Sequence, residues 1–224
     1  MIRDHGQLMS NSILTTTPHE CSKVDSAISS LGIPRSATSF PVHLKIDGCS
    51  SVVVFEISLA EHKRRLLAGT AAVTSTSALH ALWELPLGVQ IPMRNLTTLS
   101  QNGLKEVAGD CVEISGDRVV RTYQPPGRLT AVIVAKRNVR AGLCDLSMFP
   151  PIFYRGIVSQ NRSATSDDLA LAGSRGVGVA VPSTQNESCL LPCEAPKLGS
   201  PSVYRWWVAE LAYREYLRVG SPLN

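Results

Sequence analysis

The stretch LTAVIVAKRNVRAGLCDLSMFPPIFYRGIVS, residues 129–159, decides the fold. Leu129–Lys136 is apolar and β-branched and reads as a strand, and Ile152–Ser159 reads as a second. Pro150-Pro151 marks a turn between them, and residues 137–149 receive no element of their own. Read this way, the two strands belong to an antiparallel arrangement.

The same grammar extends outward. Val42–Ile46 alternates, Asp47-Gly48 supplies a turn, and Ser51–Leu59 is again β-branched and apolar. Leu87–Ile91, Cys111–Ser115, Val119–Tyr123 and Val177–Val181 are further strand candidates. Asn102-Gly103, Gly116-Asp117 and Pro125-Pro126-Gly127 supply turns among them. Helices are fewer. Thr17 can cap one, with Pro18 in its first turn and Glu20 completing a capping box. Val24, Ala27, Ile28 and Leu31 continue it at helical spacing until Gly32 and Pro34. Short helices are predicted over Ser58–Leu67 and Ser77–Leu85. The predicted class is mainly β with flanking helices, a jelly-roll-like antiparallel sandwich or barrel.

Four segments follow: a flexible arm over 1–16, a β-rich core with an N-terminal helix over 17–181, a proline-rich linker over 182–201, and an aromatic helix over 202–224. That last helix holds five of the chain's twelve aromatic residues and is expected to pack on its own domain. Glu210, Arg214 and Arg218 recur every four residues and predict one charged stripe along it.

Of the 224 residues, 44% are hydrophobic and 18% charged, enough apolar material for a core and too little charge for general disorder. Polar residues interrupt Met1–Thr17, so no secretory signal is expected, and the apolar runs are too short to span a bilayer. A soluble intracellular protein with scattered free thiols is the expectation. Cys189-x-x-x-Cys193 lacks a nearby histidine, and neither a metal nor another cofactor is predicted. Phosphate-binding loops, nucleophile elbows and zinc-protease motifs are missing from the sequence. His43 and Asp47, near Cys49, lie four apart on a strand, about 13 Å in extended chain, too far for a hydrogen bond. No catalytic residue is therefore assigned.

Charge is more informative. From Arg118 to Arg175 nine basic residues face three acidic ones, a net +6 on a chain whose total is +4. Arg118, Arg121, Arg128, Lys136, Arg137, Arg140 and Arg155 are the candidate nucleic-acid contacts, because guanidinium forks suit phosphate. Tyr123, Phe149, Phe153 and Tyr154 are interleaved and are candidates for stacking on unpaired bases.

Two strings carry a resemblance. Cys21-Ser-Lys-Val-Asp25 and Arg137-Asn-Val139, with Ala141–Ser147 after it, resemble passages of plant-virus movement proteins of the thirty-kilodalton superfamily, of tobamovirus or umbravirus type. The resemblance implies a jelly-roll-like core that binds single-stranded RNA, self-associates, and carries the viral genome through plasmodesmata. It also implies host plasmodesmal or membrane-associated factors as partners, in the cytoplasm and at plasmodesmata. The family's diagnostic Leu-x-Asp and later glycine have a match in Leu143-Cys-Asp145 with Gly199; Asp47 is the other candidate aspartate, and Gly142 lies within the second string. A jelly-roll viral coat protein is the alternative reading.

Overall fold

The structure is a computed structural model that describes residues 18–161, 163–182, 187–197 and 202–219. The predicted arm over 1–16, the Thr17 cap, Arg162 and Gly199 lie outside the described residues.

The first half of the chain holds α1 (Pro18–Ser30), the strands β1 (Ser39–Ile46) and β2 (Cys49–Ile57), and the helices α2 (Leu59–Ala68) and α3 (Thr76–Glu84). A short strand β3 (Gln90–Pro92), a 3-10 turn (Met93–Asn95) and α4 (Thr98–Lys105) follow, then β4 (Val112–Ser115) and β5 (Arg118–Arg121). The second half alternates: β6 (Gly127–Lys136), α5 (Val139–Leu146), β7 (Tyr154–Ser159), α6 (Ser166–Ser174), β8 (Val177–Pro182), β9 (Glu187–Leu191) and α7 (Val203–Val219).

Six strands form one sheet in the order β1-β2-β6-β7-β8-β9, and β3-β5-β4 form a second, antiparallel one. Within the large sheet β6, β7 and β8 are mutually parallel; the other pairs are antiparallel. The expected antiparallel jelly roll, sandwich or barrel is therefore corrected to a mixed α/β fold with seven described α-helices. The cause is α5 and α6. A helix between two neighbouring strands returns the chain to the starting end, so β7 and β8 must enter parallel to β6.

Local chemistry explains both helices. Asn138 caps α5 through Oδ1, which accepts from the Ala141 N–H at 2.9 Å. Val139, Gly142, Leu143 and Leu146 then fall on one buried face. Thr165 Oγ1 caps α6 by accepting from the Asp168 N–H at 3.1 Å, with Asp167 and Asp168 at the positive end of the helix dipole. The hairpin between β1 and β2 turns on Asp47 and Gly48, both left-handed at φ 47° and 83°, as a two-residue primed turn requires.

The large sheet is covered on both faces. Ile28, Leu31 and Ile33, from α1 and the turn after it, pack on Val54, Ala131, Ile133 and Ala180. On the other face Leu143 and Leu146 of α5, Ala172 of α6, and Val208, Ala212 and Tyr213 of α7 meet Phe55, Val132, Val134, Ile157 and Val179. A second core unites α3, α4 and the small sheet around Leu79, Leu82, Leu104, Val119 and Tyr123, with Trp206 and Trp207 of α7 packed against it. The terminal helix thus ties both cores together, on its own domain.

Two finer expectations change. Glu210 is fully buried and faces Arg65, so the stripe predicted along α7 is broken at its first member. Residues 187–191, within the segment read as a linker, supply the edge strand β9.

Candidate nucleic-acid interface

The seven predicted cations fall into three places. Arg118 and Arg121 lie on β5 of the small sheet. Arg118 is exposed, whereas Arg121 lies over the Trp206 ring at 5.2 Å and donates from Nη1 to the Leu82 carbonyl at 3.0 Å. Burial pushes the Arg121 guanidinium below its ordinary range. Lys136, Arg137 and Arg140 sit at the carboxyl end of β6 and the start of α5. Arg128 sits at the amino end of the same strand, eight residues and about 26 Å from Lys136. Arg155 is the second residue of β7, also toward the amino edge. The fold does not bring these seven groups onto one face.

Three of them already meet carboxylates. Arg128 Nε pairs with Glu56 Oε2 at 2.6 Å, Lys136 Nζ with Asp145 Oδ2 at 2.5 Å, and Arg140 Nε with Asp168 Oδ1 at 2.9 Å. The hydrogen bond from the cation holds each carboxylate below its usual range. A cation neutralised in the free protein displaces fewer counterions when a phosphate arrives.

At the carboxyl edge Asp145 also accepts from the Cys49 thiol, Sγ to Oδ2 at 3.2 Å. Burial first, then the Asp145 carboxylate, push that thiol up to about 11. A thiolate is the nucleophilic form, so Cys49 is unsuited to attack and Asp145 ties β2, β6 and α5 together. The other candidates from the family pattern are placed apart. Asp47 is exposed in the β1–β2 turn, and Gly142 is buried in α5 against Ile157.

The amino edge presents a different site. Because β6, β7 and β8 run parallel, their entry points lie side by side. Two cavities open there, of about 240 and 490 Å³, and they share Phe153, Pro196 and Lys197 as lining. Arg155 and Arg175 line the smaller, Arg128 and Arg205 the larger, and Lys197 both. Among the described residues, one lining carboxylate, Glu194, opposes these five cations. They come from five separate stretches: β6, β7, the α6–β8 turn, the run after β9, and the first turn of α7.

Hydrogen bonds to neutral groups hold two of the guanidinium groups in place. Arg155 donates from Nη2 to the Arg175 carbonyl and, at 3.5 Å, from Nη1 to that of Phe149. Burial, together with the neighbouring Arg175 charge, holds Arg155 below its ordinary range. Arg205 donates from Nη2 to the Ile152 carbonyl at 3.3 Å and lies over the Phe153 ring at 5.9 Å. Its Nε is buried with no hydrogen-bond partner among the described residues.

The stacking candidates are also redistributed. Tyr123, Phe149 and Phe153 are at most 3% exposed and belong to the cores; Phe153 lines both cavities, but Arg205 lies over its ring, so none of the three offers an open ring face to a base. Tyr123 instead donates its hydroxyl to Glu210 Oε1 at 2.7 Å. Tyr154 and Trp206 are half-buried and line the larger cavity; the Trp206 ring is already engaged by Arg121, Trp83 and Tyr123, which leaves Tyr154 as the accessible aromatic surface there.

Sequence reasoning identifies Arg128, Arg155 and Tyr154, and includes Arg175 only as part of a charge window. It misses Lys197, Arg205 and Trp206, which lie beyond that window. No local signal marks them; parallel strand entry brings them in. No helix among the described residues is long and apolar enough to cross a membrane. No protein-family model, no curated protein sequence and no solved structure matches the chain.

Proposed function

We propose that the chain binds single-stranded nucleic acid along the amino-edge groove, without making or breaking a bond. Further, as the resemblance to the thirty-kilodalton movement proteins implies, its cargo is a viral RNA genome carried from cell to cell. The observation that supports the binding reading is the convergence of Arg128, Arg155, Arg175, Lys197 and Arg205 around a groove with Tyr154 in its wall. Cations neutralise phosphates whatever the sequence, and aromatic faces accept any unpaired base. An open groove suits a polymer that enters sideways.

The pairing of Arg128 with Glu56 does not oppose this. Arg128 is 75% exposed, and a solvated pair contributes on the order of 0–1 kcal/mol, so a phosphate can replace the carboxylate at little cost. The transport part rests on the two strings alone, since the jelly roll they implied is not formed. The jelly-roll coat protein loses its basis for the same reason.

A fluorescein-labelled oligouridylate titrated with the full chain across a salt series tests the binding reading. Wild type should bind with an affinity that falls steeply with salt. The double variant R128A/R205A should bind several-fold more weakly, with a salt slope about one to two smaller, since Glu56 already neutralises part of the Arg128 charge. Equal binding by the variant at every salt concentration, or tighter binding of duplex than of single strand, overturns it. For transport, a fluorescent fusion expressed in leaf epidermis should spread into neighbouring cells; confinement to single cells sinks that part.

A further inference from the structure

The smaller cavity holds an arrangement that the larger lacks. Gly176 is left-handed at φ 65°, and the Glu194 side chain lies across it. A Cβ placed on Gly176 would meet Glu194 Oε2 at 2.8 Å and both Cβ and Cδ at 3.3 Å. The left-handed backbone favours glycine there, and the exposed Glu194 carboxylate rests in the space that a side chain would enter. Arg155, Arg175 and Lys197 line the same cavity. Arg155 spends two of its donor groups on carbonyls, which fix the guanidinium while leaving its charge uncancelled. None of the described ion pairs joins Glu194 to any of the three. Three cations and one carboxylate therefore share a small recess, with net charge +2 and no described ion pair between opposite charges.

We propose that this recess is a phosphate subsite in which the Glu194 carboxylate stands as a built-in competing anion and weakens the hold on the strand. The inference rests on the nucleic-acid reading and deepens it by assigning one phosphate group to Arg155, Arg175 and Lys197. Arg and Lys side chains are the usual positioning contacts to phosphate oxygens, and of these three Arg155 is oriented by neutral partners. Glu194 opposes the incoming charge at short range, where its effect is greatest. The device sets affinity low enough for release, which a carrier of nucleic acid needs. A phosphodiester within the strand and a phosphate monoester at its end share this chemistry, and the experiment separates them.

The test uses the full chain and fluorescein-labelled oligouridylates that carry either a 5′-hydroxyl or a 5′-phosphate. E194Q keeps the shape and removes the charge. It should bind about two- to fivefold tighter at low salt, a gain on the scale of one solvated like-charge contact. R175A should bind several-fold more weakly; the carbonyl that Arg155 uses survives that change. Equal gains on both oligonucleotides assign an internal phosphate, and a gain confined to the 5′-phosphorylated one assigns the terminus. Unchanged affinity in both E194Q and R175A overturns the subsite. If R128A/R205A still weakens binding in that case, the wider reading survives; if wild type binds neither oligonucleotide, both fall.

Discussion

Arg65 and Glu210 face each other with neither side chain exposed, the arginine donating from Nη1 and Nη2 to the two carboxylate oxygens at 3.0 and 2.8 Å. The pair joins α2 to α7 across 145 residues of chain. Every neighbour contributes. Glu61 Oε1 accepts from Arg65 Nε at 2.8 Å, the Gln124 carbonyl accepts from Nη2, and the Val73 N–H and the Tyr123 hydroxyl both donate to Glu210. The guanidinium lies 5.3 and 5.2 Å from the Tyr123 and Tyr213 rings. Burial alone disfavours the Arg65 charge, but the Glu210 hydrogen bonds and charge outweigh it and raise its pKa.

Removing one partner of this pair strands the other. Glu210→Ala leaves a guanidinium in the core with only Glu61 as counter-charge, a change that costs about 3–5 kcal/mol. Urea unfolding followed by far-UV circular dichroism should show a midpoint lowered accordingly. A double variant that replaces Arg65 and Glu210 with Met and Leu should recover only part of that loss: both desolvation costs disappear together, but the Val73 N–H, the Tyr123 hydroxyl and the Gln124 carbonyl lose their partners. A single variant within about 1 kcal/mol of wild type contradicts the clamp.

His62 reads the same junction through pH. Its Nδ1 lies 3.0 Å from the Tyr213 hydroxyl, and its ring meets Tyr213 and Tyr216 edge-on. Burial holds the imidazole below its ordinary value. The unfolded chain therefore takes up a proton at a higher pH than the folded one. Stability from this group is full above the ordinary value of about 6.5 and declines as pH falls from there through the folded pKa. Wild type should lose stability between about pH 7 and pH 5, and H62Q should lose less. The carboxylates of Glu56, Asp145 and Asp168 are held low by their cations, so their titration falls below that window. Parallel pH profiles for the two proteins remove His62 from the account.

Gly142 reports on the connection that sets the fold. A Cβ there would meet Cγ1 and Cγ2 of Ile157 at 2.8 Å, so α5 approaches β7 as closely as its backbone allows. Gly142→Ala should destabilise by about 1–3 kcal/mol through overpacking, despite alanine's better helix propensity. Combining it with Ile157→Ala, which removes the clashing Cγ1, Cγ2 and Cδ1, should cost less than the sum of the two single losses. Stabilisation by the single variant would mean that α5 does not lie on β7.

Most strands and the long helices are legible in the sequence, and the topology is not. α1 carries Pro18 in its first turn and apolar residues at helical spacing, and α7 is a long aromatic run. α5 and α6 span only eight and nine residues, little more than two turns and shorter than the window in which helical periodicity stands out. Their capping residues, Asn138 and Thr165, are the available signal. A second is Ala131–Val134, buried on consecutive residues as a strand covered on both faces must be. Strand propensity and turn chemistry alone, applied to residues 129–159, use neither signal. Without the two helices, β7 and β8 are assigned the wrong direction. The site is scattered as well, since Arg155, Arg175 and Arg205 meet only when those strands enter from one edge.

The two edges of the sheet make opposite forecasts for binding. At the carboxyl edge three predicted cations, Lys136, Arg137 and Arg140, face two carboxylates, Asp145 and Asp168; the Arg140 pair is as solvated as that of Arg128, so the local charge balance and not the pairing separates the edges. At the amino edge five cations converge on a groove lined, among the described residues, by a single carboxylate, Glu194. Alanine at Arg137 and Arg140 should thus change oligouridylate affinity less than twofold at moderate salt, whereas alanine at Arg128 and Arg205 should weaken it several-fold. Deleting a cation that neutralises a bound phosphate also lowers the salt slope by about one, so slope and affinity should fall together in the second variant only. Both variants alter solvated or partly exposed groups, and matched unfolding midpoints will confirm that the comparison concerns binding. A larger loss in R137A/R140A would move the nucleic-acid face to the carboxyl edge and leave the amino-edge groove without a role in binding.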